Sequence, residues 1–208
     1  MSRTLVIDCA TEACSVALLE NSDLIAGDWR LLGRGHAEQL VPMIAALPDK
    51  GRAERIAVDV GPGSFTGIRV GLAAAKALAL AWRAEVVGYG ALTIIAATAR
   101  AEVGNEPVAV AMSGGHGEWF VQSFAGDGTA LGDALSLSPE AAAERASTPF
   151  AAGSQAEALV GIRGFGRAIT LLPDARRFAL LPVDALIANP RPVYGRAPDA
   201  RLPAAAVG

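Results

Sequence analysis

The chain has 208 residues, 52% of them hydrophobic and 5% aromatic, with 23 glycines and a formal net charge of −3. That length buries a core in one large domain or two small lobes, and the apolar content excludes a disordered chain. The acidic balance excludes the global basic footprint expected of a protein that holds nucleic acid by itself.

Thr4 to Cys9 is a short apolar run rich in β-branched residues and predicts a buried strand. Ala13 to Glu20 predicts a second strand. After the turn residues Asn21-Ser22-Asp23, the alternation from Leu24 to Leu31 predicts a third. Gly33 to Gly35 breaks the chain, and Leu40, Val41, Ile44 and Leu47 recur at helical spacing over Glu38 to Leu47. Arg55 to Val60 is a fourth strand and runs into a glycine-rich segment. Thr66 to Trp82, free of Pro and dense in Ala and Leu, is a helix. Glu85 to Gly88 is a fifth strand and Ala91 to Ala101 a helix. A three-strand meander followed by α/β alternation is a ribonuclease H-like core with a mixed five-stranded sheet and helices on its faces.

Gly104 to Pro107 marks a lobe boundary. Strands are expected at Val108–Met112, Glu118–Phe124, Phe150–Gly153 and Ala168–Leu172, and helices at Ser138–Ala146, Ser154–Val160 and Ala175–Ala188. The organisation expected is an N-terminal lobe over 1–103, a smaller, degenerate second lobe over 104–174, and a C-terminal helix and extended tail over 175–208 that packs back on the first lobe. The apolar run Val70 to Trp82 carries Lys76 and is shorter than the roughly 20 residues of a membrane helix. No apolar leader segment develops before Asp8, so a cytoplasmic protein off the membrane is the default expectation.

The strongest motif is Gly61-Pro62-Gly63-Ser64-Phe65-Thr66-Gly67-Ile68-Arg69, between a buried strand and a helix. Gly61 and Gly63 permit unusual backbone angles, Ser64 or Thr66 can cap the helix, and free N–H groups there can bind an anion. The same residues also suit a tight turn with no ligand, since the spacing is neither a P-loop nor a Rossmann fingerprint. Arg69 lies in the first helical turn, where a cation opposes the dipole, so it is read as paired or ligand-facing. Behind it Gly67, Gly71, Ala73, Ala74, Ala75, Ala77 and Ala79 leave little bulk. Such a surface packs on its own sheet or admits a helix of another subunit. Asp8, Thr11 and Ser15 on the first hairpin are either turn chemistry or, with Gly61, Gly63 and Ser64, a nucleotide or anion site.

His36 and His116 are the only histidines, and Cys9 and Cys14 the only cysteines. No HxxxH, HExxH or CxxC spacing exists, so neither a metal site nor a disulfide framework is expected, and the thiols read as small buried hydrophobes. No Gly-x-Ser-x-Gly elbow or Ser/His/Asp set is present, so no catalytic residue is assigned. Near the C-terminus Arg163, Arg167, Arg176, Arg177, Arg191, Arg196 and Arg201 outnumber Asp174, Asp184 and Asp199. They form a solvated basic face or a minor contact to RNA or an acidic partner.

Four stretches carry a family resemblance. Asp8 to Leu18, His36-Ala37-Glu38-Gln39-Leu40-Val41-Pro42, Gly61 to Arg69 and Pro192-Val193-Tyr194-Gly195-Arg196 resemble segments of the TsaB family, of the actin-like ATPase superfamily. Ser113-Gly114-Gly115-His116-Gly117-Glu118 departs from the family's Asp-Ala-Arg-x-x-Glu, and only Glu118 and the glycine before it match. The resemblance implies a non-catalytic partner of TsaD, which transfers threonylcarbamoyl from its adenylate to the tRNA adenosine next to the anticodon. It also implies a TsaE-like ATPase that binds the heterodimer, contact with tRNA only through the complex, and a homodimer when TsaD is absent. On that reading His36, Phe65, Thr66, Arg69, Val70, Ala73, Ala74 and Ala77 are interface residues. No cofactor is required by this chain alone, with ATP or ADP a candidate ligand. The alternative is an independent ATP-dependent kinase of the same superfamily or a residual glycoprotease-like peptidase. A kinase would need a second phosphate loop, for which Ser113 to Gly117 is the only candidate.

Overall fold

A computed structural model describes residues 2–195 of the chain. Two mixed sheets with flanking helices make an α/β protein. The first sheet begins with β1 (Arg3–Asp8), β2 (Ala13–Glu20) and β3 (Asp23–Leu31), an antiparallel meander. β4 (Arg55–Asp59) lies parallel to β1, and β5 (Glu85–Tyr89) parallel to β4. The side-chain period of two sorts β1 and β2 cleanly. Leu5, Ile7, Cys9, Cys14, Val16 and Leu18 join the core formed with α1 (His36–Ala46) and α2 (Phe65–Trp82). Val6, Ala17 and Leu19 face the other way, with Ala57, Val87, Tyr89 and Ile94, the last from α3 (Ala91–Val103).

The second sheet has the order β10-β9-β6-β7-β8, built from β6 (Val108–Gly115), β7 (Glu118–Phe124), β8 (Leu135–Leu137), β9 (Phe150–Ala152) and β10 (Arg167–Ile169). α4 (Pro139–Arg145) and α5 (Ala156–Arg163) cover one side of it over Ala109, Ala111, Trp119 and Val121. Leu92, Ile95, Ala96 and Ala99 of α3 share a continuous core with Val108, Val110 and Phe124, which joins the two sheets.

Two expectations are corrected. The first sheet has six strands rather than five, because β11 (Ile187–Ala188) adds an antiparallel edge to β5 at Gly88 and Val87. The expected long helix over 175–188 is instead two 3₁₀ turns, Ala175–Leu180 and Val183–Ala185. Pro182 is the cause: it drives the preceding Leu181 to extended angles (φ −76°, ψ 132°) and offers no N–H to continue a helix. The C-terminal segment still packs on the first sheet. Ala175 N–H donates to Ser15 Oγ at 2.9 Å, the Phe178 ring meets Tyr89 edge-on at 5.5 Å, and Val193 N–H donates to Val60 O at 2.8 Å. The last expected tail residues, 196–208, lie outside the described residues, as do Arg196, Asp199 and Arg201.

Candidate functional site

The glycine-rich segment forms a turn closed against the first hairpin. Gly61 has φ +101°, its N–H donates to Asp59 Oδ1 at 2.7 Å, and a Cβ there would sit 2.6 Å from the Val193 carbonyl oxygen. Ser64 N–H donates to the Ala10 carbonyl at 2.6 Å, and Ser64 Oγ caps α2 by accepting from Gly67 N–H at 3.2 Å. A Cβ on Gly63 would overlap the Ala10 carbonyl, and one on Gly67 the Cys9 carbonyl. These glycines therefore bring backbone against backbone, and two of the amides at the start of α2 are already hydrogen-bonded. The N–H groups of Phe65 and Thr66 have no partner among the described residues.

The six residues expected around a nucleotide separate into two environments. Thr11, Gly63 and Ser64 line a cleft between the two sheets. Asp8, Ser15 and Gly61 are buried away from it. Asp8 Oδ1 accepts from Ala10 N–H at 3.2 Å, and Oδ2 from the Tyr89 hydroxyl at 3.1 Å. Beside it lies Asp59, a residue the sequence reading passed over. Burial raises the carboxyl of Asp8, and burial together with the Asp8 charge raises that of Asp59 well above its ordinary value. The period of two was the available signal, because it puts Asp8 on the same side of β1 as Val6.

The cleft has a volume of about 840 Å³. One side is the β1–β2 turn and the start of α2; the other is the hairpin Ser113 to His116, with Met112, Phe120 and Ser154. His116 has φ +53°, between Gly115 at +78° and Gly117 at +80°. At the mouth Arg69 lies over the Phe65 ring, 3.5 Å from its centroid, and its Nε donates to the Tyr194 hydroxyl at 2.9 Å. The Phe65 and Tyr194 rings are 5.2 Å apart. Tyr194 and the Ser113 to His116 wall were missed as site residues, since only the folded chain joins positions so far apart in sequence.

The small residues of α2 divide between two faces. Gly67, Gly71, Ala75 and Ala79 are buried on the sheet. Phe65, Thr66, Arg69, Ala73 and Ala77 are exposed, with Val70 and Ala74 half-buried. Leu80 on α2 is 85% exposed and Val41 on α1 62%, which widens an apolar outer surface over the two helices. His36, expected at an interface, is instead buried in this chain. The period of α1 turns it inward with Leu40, Met43 and Ile44, and its Nε2 lies 3.2 Å from the Ala13 carbonyl. By length and composition α2 is the one helix among the described residues apolar enough to cross a membrane. Among the described residues no group of three or more His, Cys, Asp or Glu is placed to hold a metal.

Residues 30–173 match the family model for TsaD, tRNA N6-adenosine threonylcarbamoyltransferase. YeaZ from Pseudomonas aeruginosa has a TM-score of 0.72 and 30% identity, covering 85% of this chain and 88% of that one. The chain belongs to the TsaB family. TsaB of Escherichia coli is 35% identical over 130 residues, 60% of this chain and 56% of that protein. TsaB of Haemophilus influenzae is 38% identical over 100 residues, 46% and 42% of the two. This TsaB-family chain thus spans about half the length of the curated relatives it matches. EutJ from Carboxydothermus hydrogenoformans, at 13% identity and a TM-score of 0.51, shares the fold alone.

Proposed function

We propose that the chain is the non-catalytic subunit of a tRNA threonylcarbamoyladenosine synthase. It pairs with and activates a TsaD-like subunit, which transfers threonylcarbamoyl from its adenylate to the tRNA adenosine beside the anticodon. The observation that carries this reading is the two-lobed likeness to YeaZ over most of both chains, together with relatives named for this biosynthesis. The outer surface of α1 and α2 supports it. Small side chains at Ala73, Ala74 and Ala77, flanked by exposed Leu80 and Val41, suit close approach of partner helices. The same surface serves a homodimer when the partner is absent. A TsaE-like ATPase and the tRNA meet the chain within that complex, in the cytoplasm. The chain alone requires no cofactor, in keeping with an Asp8 sealed beneath the hairpin.

The test is co-purification of the full chain with the TsaD-like protein of the same organism, followed by reconstituted tRNA modification. Stable association and modification that depends on both chains are expected. Failure to associate with or without nucleotide, or robust ATP turnover by the isolated chain, counts against the reading.

A further inference from the structure

The pairing surface leaves the cleft between the sheets without a role. Its make-up is poorly matched to a metal-bound polyphosphate. Asp8 is turned into the core, and the amides of Ser64 and Gly67 are taken, which leaves only those of Phe65 and Thr66 for an anion. Glu12 stands in the lining, exposed, where its carboxylate repels phosphate. Its side chain has no partner among the described residues, so it is free to accept hydrogen bonds.

What the cleft does offer is an apolar surface with polar ends, built on two rings inclined at 34° to each other. Phe65 and Tyr194 remain 55% and 40% exposed, held in place by the Arg69 guanidinium over one ring and against the hydroxyl of the other. Phe120 and Met112 form an apolar floor, and Gly114 and Gly115 leave the facing wall without side chains. Aromatic rings backed by arginine are how proteins hold unstacked bases, because every base has a π-face. A carboxylate such as Glu12 accepts from the exocyclic amine of a base, as carboxylates do from cytosine.

We propose that the cleft takes one unstacked, amino-bearing nucleobase of single-stranded RNA, stacked on Phe65 and Tyr194 with its amine toward Glu12. This rests on the reading of the chain as a tRNA-modification subunit, where an RNA strand is at hand. The base is recognised by its face and amine, and no phosphate or metal is needed.

The experiment uses the full chain, alone and with its TsaD-like partner, and a short single-stranded RNA carrying 2-aminopurine, whose fluorescence falls on stacking. Saturable quenching is expected. Tyr194→Ala should weaken it about fivefold or more, the lower end of what one stacked base contributes. Tyr194→Trp should retain it, and Glu12→Gln should alter the preference among bases. Equal melting temperatures for these variants show that the fold is intact. Adenosine should compete as well as magnesium ATP. Absent quenching, quenching indifferent to Tyr194→Ala, or ATP preferred tenfold over adenosine would each overturn the proposal. A chain that pairs and supports modification but does not quench leaves the subunit reading standing and removes this one. A chain that quenches but never pairs does the reverse.

Discussion

Asp8 and Asp59 meet side by side inside the first sheet, one step beyond the Ile7–Val58 pairing of β1 with β4, and each holds the loop that follows its own strand. Asp8 accepts from the amide of Ala10 and Asp59 from the amide of Gly61, two residues on in both cases. Both are 1% exposed, and Asp59 Oδ2 has no hydrogen-bond partner among the described residues. Two adjacent buried carboxyls cannot both ionise cheaply, so the pair holds a proton.

That proton sets a pH dependence. Tyr89 donates to Asp8 and lowers the cost of its charge, while the charge of Asp174 on the C-terminal segment raises it. The Asp59 carboxyl lies well above its ordinary value in the folded state, so its stabilising share is complete below about pH 4, and it is lost as pH rises toward the folded value. Asp59→Asn, whose amide can donate to Asp8 and whose carbonyl can accept from Gly61, should flatten the loss. Urea unfolding at pH 5 and pH 8 should show the variant gaining about 1–3 kcal/mol on the natural chain between the two. A variant that gains nothing on the natural chain between pH 5 and pH 8 would speak against a shared proton.

The glycines around the turn should differ sharply in tolerance. Gly63→Ala drives a methyl into the Ala10 carbonyl and should cost about 2–4 kcal/mol by denaturant unfolding. At Gly71, within α2, the nearest atom to a new Cβ is Val58 Cγ2 on β4 at 3.4 Å, an ordinary contact. Gly71→Ala should therefore be neutral or stabilising by up to about 1 kcal/mol. Equal effects at the two sites would show that the close approach does not matter.

Ser15 ties the C-terminal segment down. Ser15→Ala strips the buried Ala175 amide of its acceptor and should cost about 1–3 kcal/mol. The first 3₁₀ turn should loosen, so limited trypsin digestion at Arg176 and Arg177 should run faster than in the natural chain. Unchanged cleavage would mean that the segment is held mainly by Phe178 on Tyr89.

The proposed pairing surface can be tested at one exposed methyl. Ala77→Arg adds bulk and charge to the outer side of α2 without touching the core. Melting should stay within about 0.5 kcal/mol of the natural stability, while size-exclusion chromatography should show loss of the heterodimer. Pairing intact would move the interface off α2.

Much of the first sheet was legible because its strands are long and its apolar periods clean, as in Ala13–Glu20. The short edge strands were not: Leu135–Leu137 and Ile187–Ala188 hold too few residues to display a period. The Ala-rich stretch after Asp174 read as helix because propensity outweighed the breaker Pro182. The glycine-rich turn was visible as a motif, but its purpose was not, since the carbonyls that exclude a Cβ belong to Cys9 and Ala10. Tyr194 and Arg69 lie 125 positions apart, and the hydrogen bond between them is a product of tertiary structure alone.

The strand that closes one edge of the first sheet, β11, and the 3₁₀ turn that roofs Ser15 both follow the entire second sheet in the chain. During synthesis, then, the ribosome releases every residue of the second sheet before it releases the pieces that finish the first. The nascent N-terminal half must wait with the Ser15 side of its sheet covered only in part, by α3, while the part made later can complete itself sooner.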